Sequence, residues 1–333
     1  YGPYGTPNAQ GDVLLTAGVP ITYDPGEFFY RVAMMNAEGG EWLDTKTDVG
    51  RAVTAPTGRV GLTASGGSCI NATDTASALA MFNRQDDLGF MIGDLWYADG
   101  SGTGVANYRS KMDAKLRATN LGKWFSTTPM IYTPSDHDYG MVDDGIGPGT
   151  GGTSWNQVFR EKWPHPALPM TGTLGCYWTR PWGTGVRIIV LDTRSFASVG
   201  STKLGSTQKT WFKNTITAMT EDIALIFQDG VWIGPTDAGS DDWQGTLAER
   251  NEIGDFIAAS GKKVVWFGGD SHAVGGDSGT NSRGGFPVYQ CAPLNNTASQ
   301  KGGPYSAGLY PASGTSSVQQ YGRIVVSLSD TTI

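Results

Sequence analysis

Histidine is scarce: the 333-residue chain has three, His137, His165 and His272. A multinuclear metal site would therefore have to draw on carboxylates and other donors as well. Cysteine is equally rare, with Cys69, Cys176 and Cys291. An odd count leaves one thiol over if the other two pair. Cys69 lies beside a motif taken up below, so Cys176–Cys291 is the candidate bridge, and two free buried thiols fit the spacing equally well. No apolar run reaches the roughly 18–20 residues needed to cross a bilayer, so no transmembrane segment is expected. Charge is sparse, at 17% of residues, and the balance is acidic, with a formal net charge of -7. That excludes a protein whose main business is gripping nucleic-acid backbones. It does not exclude an anionic substrate, because bound cations can reverse the field locally. No leader-like segment is visible at the start, which is polar and Gly-rich. Low charge with much Gly, Ser, Thr and Trp is the composition of an exported protein, secreted to the extracellular or periplasmic space.

What is abundant is glycine, at 48 residues, beside a hydrophobic fraction of 39%. Long ordered loops between short strands are expected rather than a helical bundle. The length allows one large core, or a core with a small accessory module. Val13–Thr16 and Phe28–Val32 read as short strands in a stretch too small for a good core of its own, and 54–58 (Thr-Ala-Pro-Thr-Gly) reads as a linker. From Arg59 the pattern becomes strand, loop, helix, strand. Strands are expected at Arg59–Ala64, Phe90–Ile92, Pro129–Thr133, Val186–Asp192, Ile223–Gln228, Lys262–Phe267 and Gly322–Leu328. Helices are expected at Thr75–Arg84, Ala106–Thr119, Gln208–Ala218 and Leu247–Ala259. Most of these strands run into a loop carrying Gly and a metal-loving side chain. In open α/β sheets ligands gather outside the carboxyl ends of the strands, so such residues would converge.

Four strand ends carry the chemistry. In Gly93-Asp94-Leu95-Trp96-Tyr97 the glycine permits a sharp turn and Asp94 can bridge two cations. Tyr97 can bend back to offer a phenolate, although a turn aspartate and a packing tyrosine would look the same. In Ser135-Asp136-His137-Asp138-Tyr139-Gly140, Asp136 offers oxygen and His137 can protonate a leaving alkoxide. Asp138 can fix the imidazole tautomer. Hydrated turns and calcium loops share that composition. In Gly269-Asp270-Ser271-His272, alternation puts Asp270 and His272 on one side of an extended backbone, where they can address neighbouring metals or simply each other. Cys69 follows a Gly-Gly turn, where a thiolate binds metal strongly and a lone cysteine can also be plain core.

The order Ser-Cys, Gly-Asp-x-x-Tyr, Asp-His-Asp-Tyr-Gly and Gly-Asp-x-His resembles the alkaline phosphatase D-like (PhoD-like) metallophosphoesterases. Leu191-Asp192-Thr193-Arg194-Ser195-Phe196, Gln208 with Trp211, and Asp242-Trp243-Gln244-Gly245 with Glu249-Arg250 support it. The resemblance implies an α/β fold, a four-layer αββα metallophosphoesterase sandwich. Residues 1–57 would be a remnant of an immunoglobulin/fibronectin-like β-module, and 58–333 the catalytic domain. It implies an iron(III)-type ion on Cys69, Asp94, Tyr97 and His272. A second, oxygen-loving cation would sit on Asp94, Asp136 and Asp270: calcium, with magnesium, manganese or zinc also admissible. His137 and Asp138 would be the catalytic pair. Where the family often carries Asn after the Asp-His-Asp-Tyr-Gly run, this chain has Met141-Val142-Asp143-Asp144, so that ligand is replaced by Asp143 or lost. Purple acid phosphatases share Gly-Asp-Leu-x-Tyr-Ala-Asp but need more histidines than this chain has.

The implied function is hydrolysis of phosphate esters by a metal-activated hydroxide at a dinuclear site, of phosphatase, phosphodiesterase or phospholipase D type. The implied substrates are small-molecule or lipid phosphate esters. The rival is a non-catalytic calcium-binding surface protein on a phosphoesterase scaffold, which the intact ligand set argues against. Trp96, Tyr139, Trp155 and Trp232 can line a cleft or pack a core. His165, boxed by Pro164 and Pro166, reads as a loop residue without a role.

Overall fold

The computed structural model of the chain describes residues 27–30, 34–35, 42–43, 50–53, 55–97, 102–140, 151–170, 172–198, 200–234, 242–299, 301–310 and 317–328. Asp143 and the expected strand at Val13–Thr16 lie outside them. Near the start are four short strands, β1 (Glu27–Tyr30), β2 (Met34–Met35), β3 (Trp42–Leu43) and β4 (Gly50–Val53). β1 pairs antiparallel with β4, and β2 with β3.

Beyond β4 the chain forms β5 (Leu62–Gly67), α1 (Ala76–Arg84), β6 (Leu88–Ile92), α2 (Val105–Leu116), α3 (Thr119–Thr127), β7 (Met130–Thr133) and α4 (Gly152–Lys162). A second series contains β8 (Trp178–Trp182), β9 (Val186–Val190), α5 (Gly205–Ala218), β10 (Ile223–Phe227), α6 (Leu247–Ser260), β11 (Val264–Gly268), β12 (Val274–Asp277) and β13 (Val288–Cys291). The short strands β14 (Asn296–Thr297), β15 (Leu309–Tyr310) and β16 (Ser317–Val318) come before β17 (Gly322–Val326). Two main sheets result, one in the order β17-β5-β6-β7 and one in the order β15-β12-β13-β11-β10-β9-β8, while β14 and β16 pair as a small separate sheet. In the first, β5, β6 and β7 are mutually parallel; in the second, β9, β10, β11 and β13 are.

Side-chain alternation stacks these sheets face to face. Phe90 and Ile92 of β6 point into the core between the sheets while Met91 points out to the helices. On β10, Leu225 and Phe227 face inward and Ala224 and Ile226 outward. Phe90, Phe227 and Phe267 meet at the centre, with ring centroids 5.2 Å apart for the first pair and 5.1 Å for the last. Helices α1 to α4 cover the outer face of the small sheet through Met81, Met112, Leu121, Trp124 and Phe159. Helices α5 and α6 cover the large one through Phe212, Ile216, Ile253 and Ile257. This is the expected four-layer αββα sandwich.

Several elements differ from expectation, and α4, β12 and β13 were not expected at all. The helix expected at Ala106–Thr119 ends at Leu116, and a separate α3 starts at Thr119. Asp74, from a distant loop, accepts the Asn120 and Leu121 amides at the start of α3, a cap that local sequence does not display. Strand β8 carries Pro181, which is tolerated because β8 is the edge of its sheet. Cys176 and Cys291 do not form a disulfide: both are buried free thiols, Cys176 in the core outside the small sheet and Cys291 in the core between the sheets. Trp96, Tyr139, Trp155 and Trp232 are all core residues, so none lines a cleft. His165 stacks on Phe159 and borders an apolar cavity of about 600 Å³ near the starts of β6 and β7.

Candidate metal centre

The parallel strands of both sheets deliver their carboxyl ends to one place. Cys69 follows β5, Asp94 follows β6, Asp136 follows β7, and Asp270 and His272 follow β11. One ligand atom each from Cys69, Asp94, Asp270 and His272 lies within 4.8 Å of the others. Tyr97 joins them: its hydroxyl is 3.4 Å from Asp94 Oδ2 and 3.2 Å from His272 Nε2. The Cys69 thiol is 3.4 Å from the same Asp94 oxygen.

Two glycines make this convergence possible. Gly93 has φ 96°, and a Cβ there would lie 2.6 Å from the Ser135 Cβ and 3.0 Å from the Asp229 Cβ. A Cβ on Gly269 would collide with the Ile92 carbonyl oxygen, where β6 and β11 end side by side. The ligand residues turn just as sharply. Among the described residues five non-glycines have left-handed backbones, and four of them are Cys69, Asp94, Asp270 and His272. Such conformations cost free energy and persist only where the surroundings enforce them. Here main-chain bonds between the ligand loops do so: Cys69 N–H donates to the Gly93 carbonyl (3.2 Å) and Ile70 N–H to that of Asp94 (2.8 Å).

Asp136, His137 and Asp138 sit on a short 3-10 turn beside this cluster. The His137 ring lies against Tyr97, centroids 4.1 Å apart, and its Nε2 is 3.9 Å from Asp136 Oδ2. Asp138 is fully buried, and both of its carboxylate oxygens are engaged by main-chain amides. Oδ2 accepts from Asp94 and Ser135, both at 2.9 Å, and Oδ1 accepts from Leu95 at 3.0 Å. Asp138 thus ties the Asp94 turn to the Asp136 turn.

Several neighbours were not singled out by the sequence. Arg194, wholly buried, donates from Nε to Asp229 Oδ2 at 2.6 Å and pairs with Asp136 Oδ1 at 3.3 Å. Ser135 Oγ bonds Asp136 (2.8 Å) and Asp229 (3.0 Å) and completes the network around Asp136. Arg194 lay in a supporting motif, and Asp229 sits in Gln228-Asp229-Gly230 at the end of β10, the same strand-then-Asp signal as Asp94, so both were findable. Asn296 donates to the Tyr97 hydroxyl at 2.5 Å, and Lys301 Nζ lies 3.0 Å from Asp270 Oδ1. Asn296 lies in the short strand β14 and Lys301 just beyond it, where the sequence shows no strand-end signature.

Electrostatically the centre is acidic: among the described residues Asp94, Asp136, Asp138, Asp229 and Asp270 outnumber Arg194 and Lys301. Burial, then the charges of Asp136, Asp270 and Asp138, push the Asp94 carboxyl well up. Burial, then Asp94 and Asp270, push up the Cys69 thiol, and burial with Cys69 and Asp94 does the same to Tyr97. Asp138 is pushed up to about 7 by burial, against the lowering effect of its amide donors. Asp94 Oδ1 is buried with no hydrogen-bond partner, which is unusual for a carboxylate oxygen. A bound cation would answer both features. Thiolate, phenolate, imidazole and carboxylate are donors suited to a transition metal, and the carboxylates alone to a harder ion.

Facing sheets flanked by helices, with the candidate ligands at the strand ends, make an αββα sandwich whose fold is shared with solved phosphatase structures. The chain is similar to the structure of PhoD, with TM-score 0.62 and 20% identity, over 78% of this chain and 62% of that one. It is also similar to the purple acid phosphatase PPD1 from yellow lupin (Lupinus luteus) seeds, with TM-score 0.50 and 14% identity, over 81% of this chain and 52% of that one. It thus spans less than two thirds of the length of either. No curated protein sequence matches it. Residues 154–277 match the family model of the PhoD-like phosphatases. The matched segment holds Arg194, Asp229, Asp270 and His272.

Proposed function

We propose that the chain is a metal-dependent phosphoesterase with a dinuclear centre. Cys69, Asp94, Tyr97 and His272 would hold an iron(III)-type ion. Asp94, Asp136 and Asp270 would hold a second cation such as calcium, with magnesium, manganese or zinc as substitutes. The observation that carries the reading is the buried group of Cys69, Asp94, Asp270 and His272, with ligand atoms within 4.8 Å of one another. When bound, the cations would lower the pKa of a water molecule and neutralise charge developing on the phosphoryl group.

The chain's own residues do the rest. Arg194, Asp229 and Ser135 hold the Asp136 carboxylate in place. Asp138 serves as a positioning residue that locks the Asp94 and Asp136 turns together, since its oxygens are taken up by main-chain amides. His137, 7% exposed beside Tyr97, would hand a proton to the departing oxygen. Positioned acids of this kind contribute roughly 10²–10⁴-fold. His137→Ala is expected to lower kcat by about 100-fold or more on alkyl esters. It should do less on p-nitrophenyl esters, whose leaving group needs no proton, and it should leave metal content intact. Equal losses on both ester types would remove the proton from the account.

The substrates in this reading are small-molecule or lipid phosphate esters. Export rests on composition alone and is checked by fractionating the source cells. The direct test combines metal analysis of the purified chain, its visible spectrum, and a panel of phosphomonoesters, phosphodiesters and phospholipids. Iron in near-stoichiometric amount, a tyrosinate-to-iron absorption band and turnover of at least one ester class are expected. A chain that takes up no transition metal, or takes it up and cleaves nothing in the panel, would sink the proposal.

A further inference from the structure

The segment after β13 runs as a strap across the centre. Leu294 N–H donates to the Ser68 carbonyl (2.8 Å) and Asn295 N–H to that of Cys69 (3.1 Å). Further on, Ser299 N–H donates to the His272 carbonyl (3.0 Å) and Lys301 N–H to that of Ser271 (3.3 Å). The strap is thereby fastened to the ligand loops of both sheets, and it carries Lys301 to Asp270.

Among the described residues, the two cations bonded to aspartates of the centre differ in kind. Arg194 has a side-chain exposure of 0% and is enclosed by Asp229, Asp136 and Ser135. Its guanidinium supports ligands and cannot reach an incoming molecule. The Lys301 side chain is 41% exposed, while Asp270, its partner, is 3% exposed. The lysine therefore enters from solvent, with its ammonium at the boundary between water and the ligand cluster. Its stem is long and flexible, and its head is a compact charge with three donors. Asp270 carries that ammonium on an oxygen that a cation would compete for.

We propose that Lys301 is a substrate-binding residue of the phosphoesterase site, its ammonium taking a non-bridging phosphoryl oxygen of the ester. The proposal rests on the phosphoesterase reading. An anion arriving at a centre walled by Asp94, Asp136 and Asp270 needs positive charge on its open side as well as beneath it. The strap supplies that charge from a position fixed by the Lys301 and Ser299 main-chain bonds. The interaction is a charge-assisted hydrogen bond, of the stronger class.

The test uses the full chain, metal-loaded, with Lys301→Met and Lys301→Arg as variants and inorganic phosphate as the probe. Phosphate binding is read by calorimetry and by competitive inhibition of p-nitrophenyl phosphate hydrolysis. Lys301→Met should keep the wild-type metal content, bind phosphate roughly 10- to 100-fold more weakly, and raise KM with little change in kcat. Lys301→Arg should recover most of the affinity. A Lys301→Met chain that binds phosphate as tightly as wild type overturns the proposal. So does one that loses metal, which would make the lysine a support for Asp270. A wild type that hydrolyses esters while the variant matches it sinks the lysine alone. A metal-loaded wild type that neither binds phosphate nor cleaves any ester sinks the phosphoesterase reading and the lysine with it.

Discussion

Asp94 accumulates more unfavourable features than any ordinary core residue would keep. It is fully buried, its φ is 54°, its Oδ1 lacks a hydrogen-bond partner, and three further aspartates push its carboxyl up. Left-handed backbone at a non-glycine costs roughly 1–3 kcal/mol, and Asp is among the residues that bear it best. Such costs concentrate where function requires them, and removing them trades function for stability. Asp94→Asn keeps the shape and the left-handed tolerance and removes the charge. The metal-free variant is expected to be more stable than metal-free wild type by about 1–2 kcal/mol, with metal binding lost. Differential scanning calorimetry in chelator, paired with metal analysis, checks both halves. A variant that melts lower than metal-free wild type would mean that Asp94 is a structural residue. The sequence showed Cys69, Asp94 and Asp270 because each follows a hydrophobic strand and a glycine turn. The strain was not readable, because nothing in Gly93-Asp94 says how closely Ser135 and Asp229 press on it.

At the scale of elements, strands were easier to read than helices. The central strands β6, β10 and β11 are continuous apolar runs, as strands covered on both faces tend to be. Helices α2 and α4 have mixed sequences, and their pairing depends on contacts between them. Arg109 on α2 holds Glu161 on α4 through two bonds of 2.6 Å, and Gln157 adds a third at 2.8 Å. The Arg109 guanidinium keeps the Glu161 carboxyl below its ordinary range. A depressed folded-state pKa stabilises the fold above the unfolded-state value, about 4.3 for glutamate, and the gain is lost as pH falls through the folded-state value. Glu161→Gln should therefore cost about 0.5–1 kcal/mol at pH 7, the range for a partly exposed pair. The difference from wild type should shrink steadily below pH 4. Urea unfolding of both chains at pH 7 and pH 3.5 measures it. A penalty unchanged at the lower pH would assign the effect to packing. α3 and β8 were missed for the same kind of reason: the Asp74 cap and the edge position that excuses Pro181 are tertiary facts.

For the whole molecule, the centre is also a joint. Cys69, Asp94, Tyr97 and Asp136 belong to loops of the small sheet, and Asp270 and His272 to a loop of the large one. The apolar core between the sheets, built on Phe90, Phe227 and Phe267, holds the two halves together irrespective of any ion. At the strand ends the contact is polar, acidic and strained, with the buried Arg194 pairing across it to Asp136, so added positive charge would tighten it further. Cations that bind only the folded chain stabilise it by mass action, roughly 4 kcal/mol at a thousandfold excess over Kd. Chelation is therefore expected to lower Tm by several degrees while leaving a single cooperative transition, because the inter-sheet core survives. Hydrogen exchange should locate the loss. Amides of Cys69, Ile70, Asn295 and Ser299, which tie the ligand loops to each other and to the strap, should exchange faster without metal. Those of β6 and β10 in the sheet interiors should not. Uniform acceleration over both sheets would instead mean that the metal supports the global fold, and unchanged exchange at Cys69 and Ser299 would mean that no ion bridges the sheets.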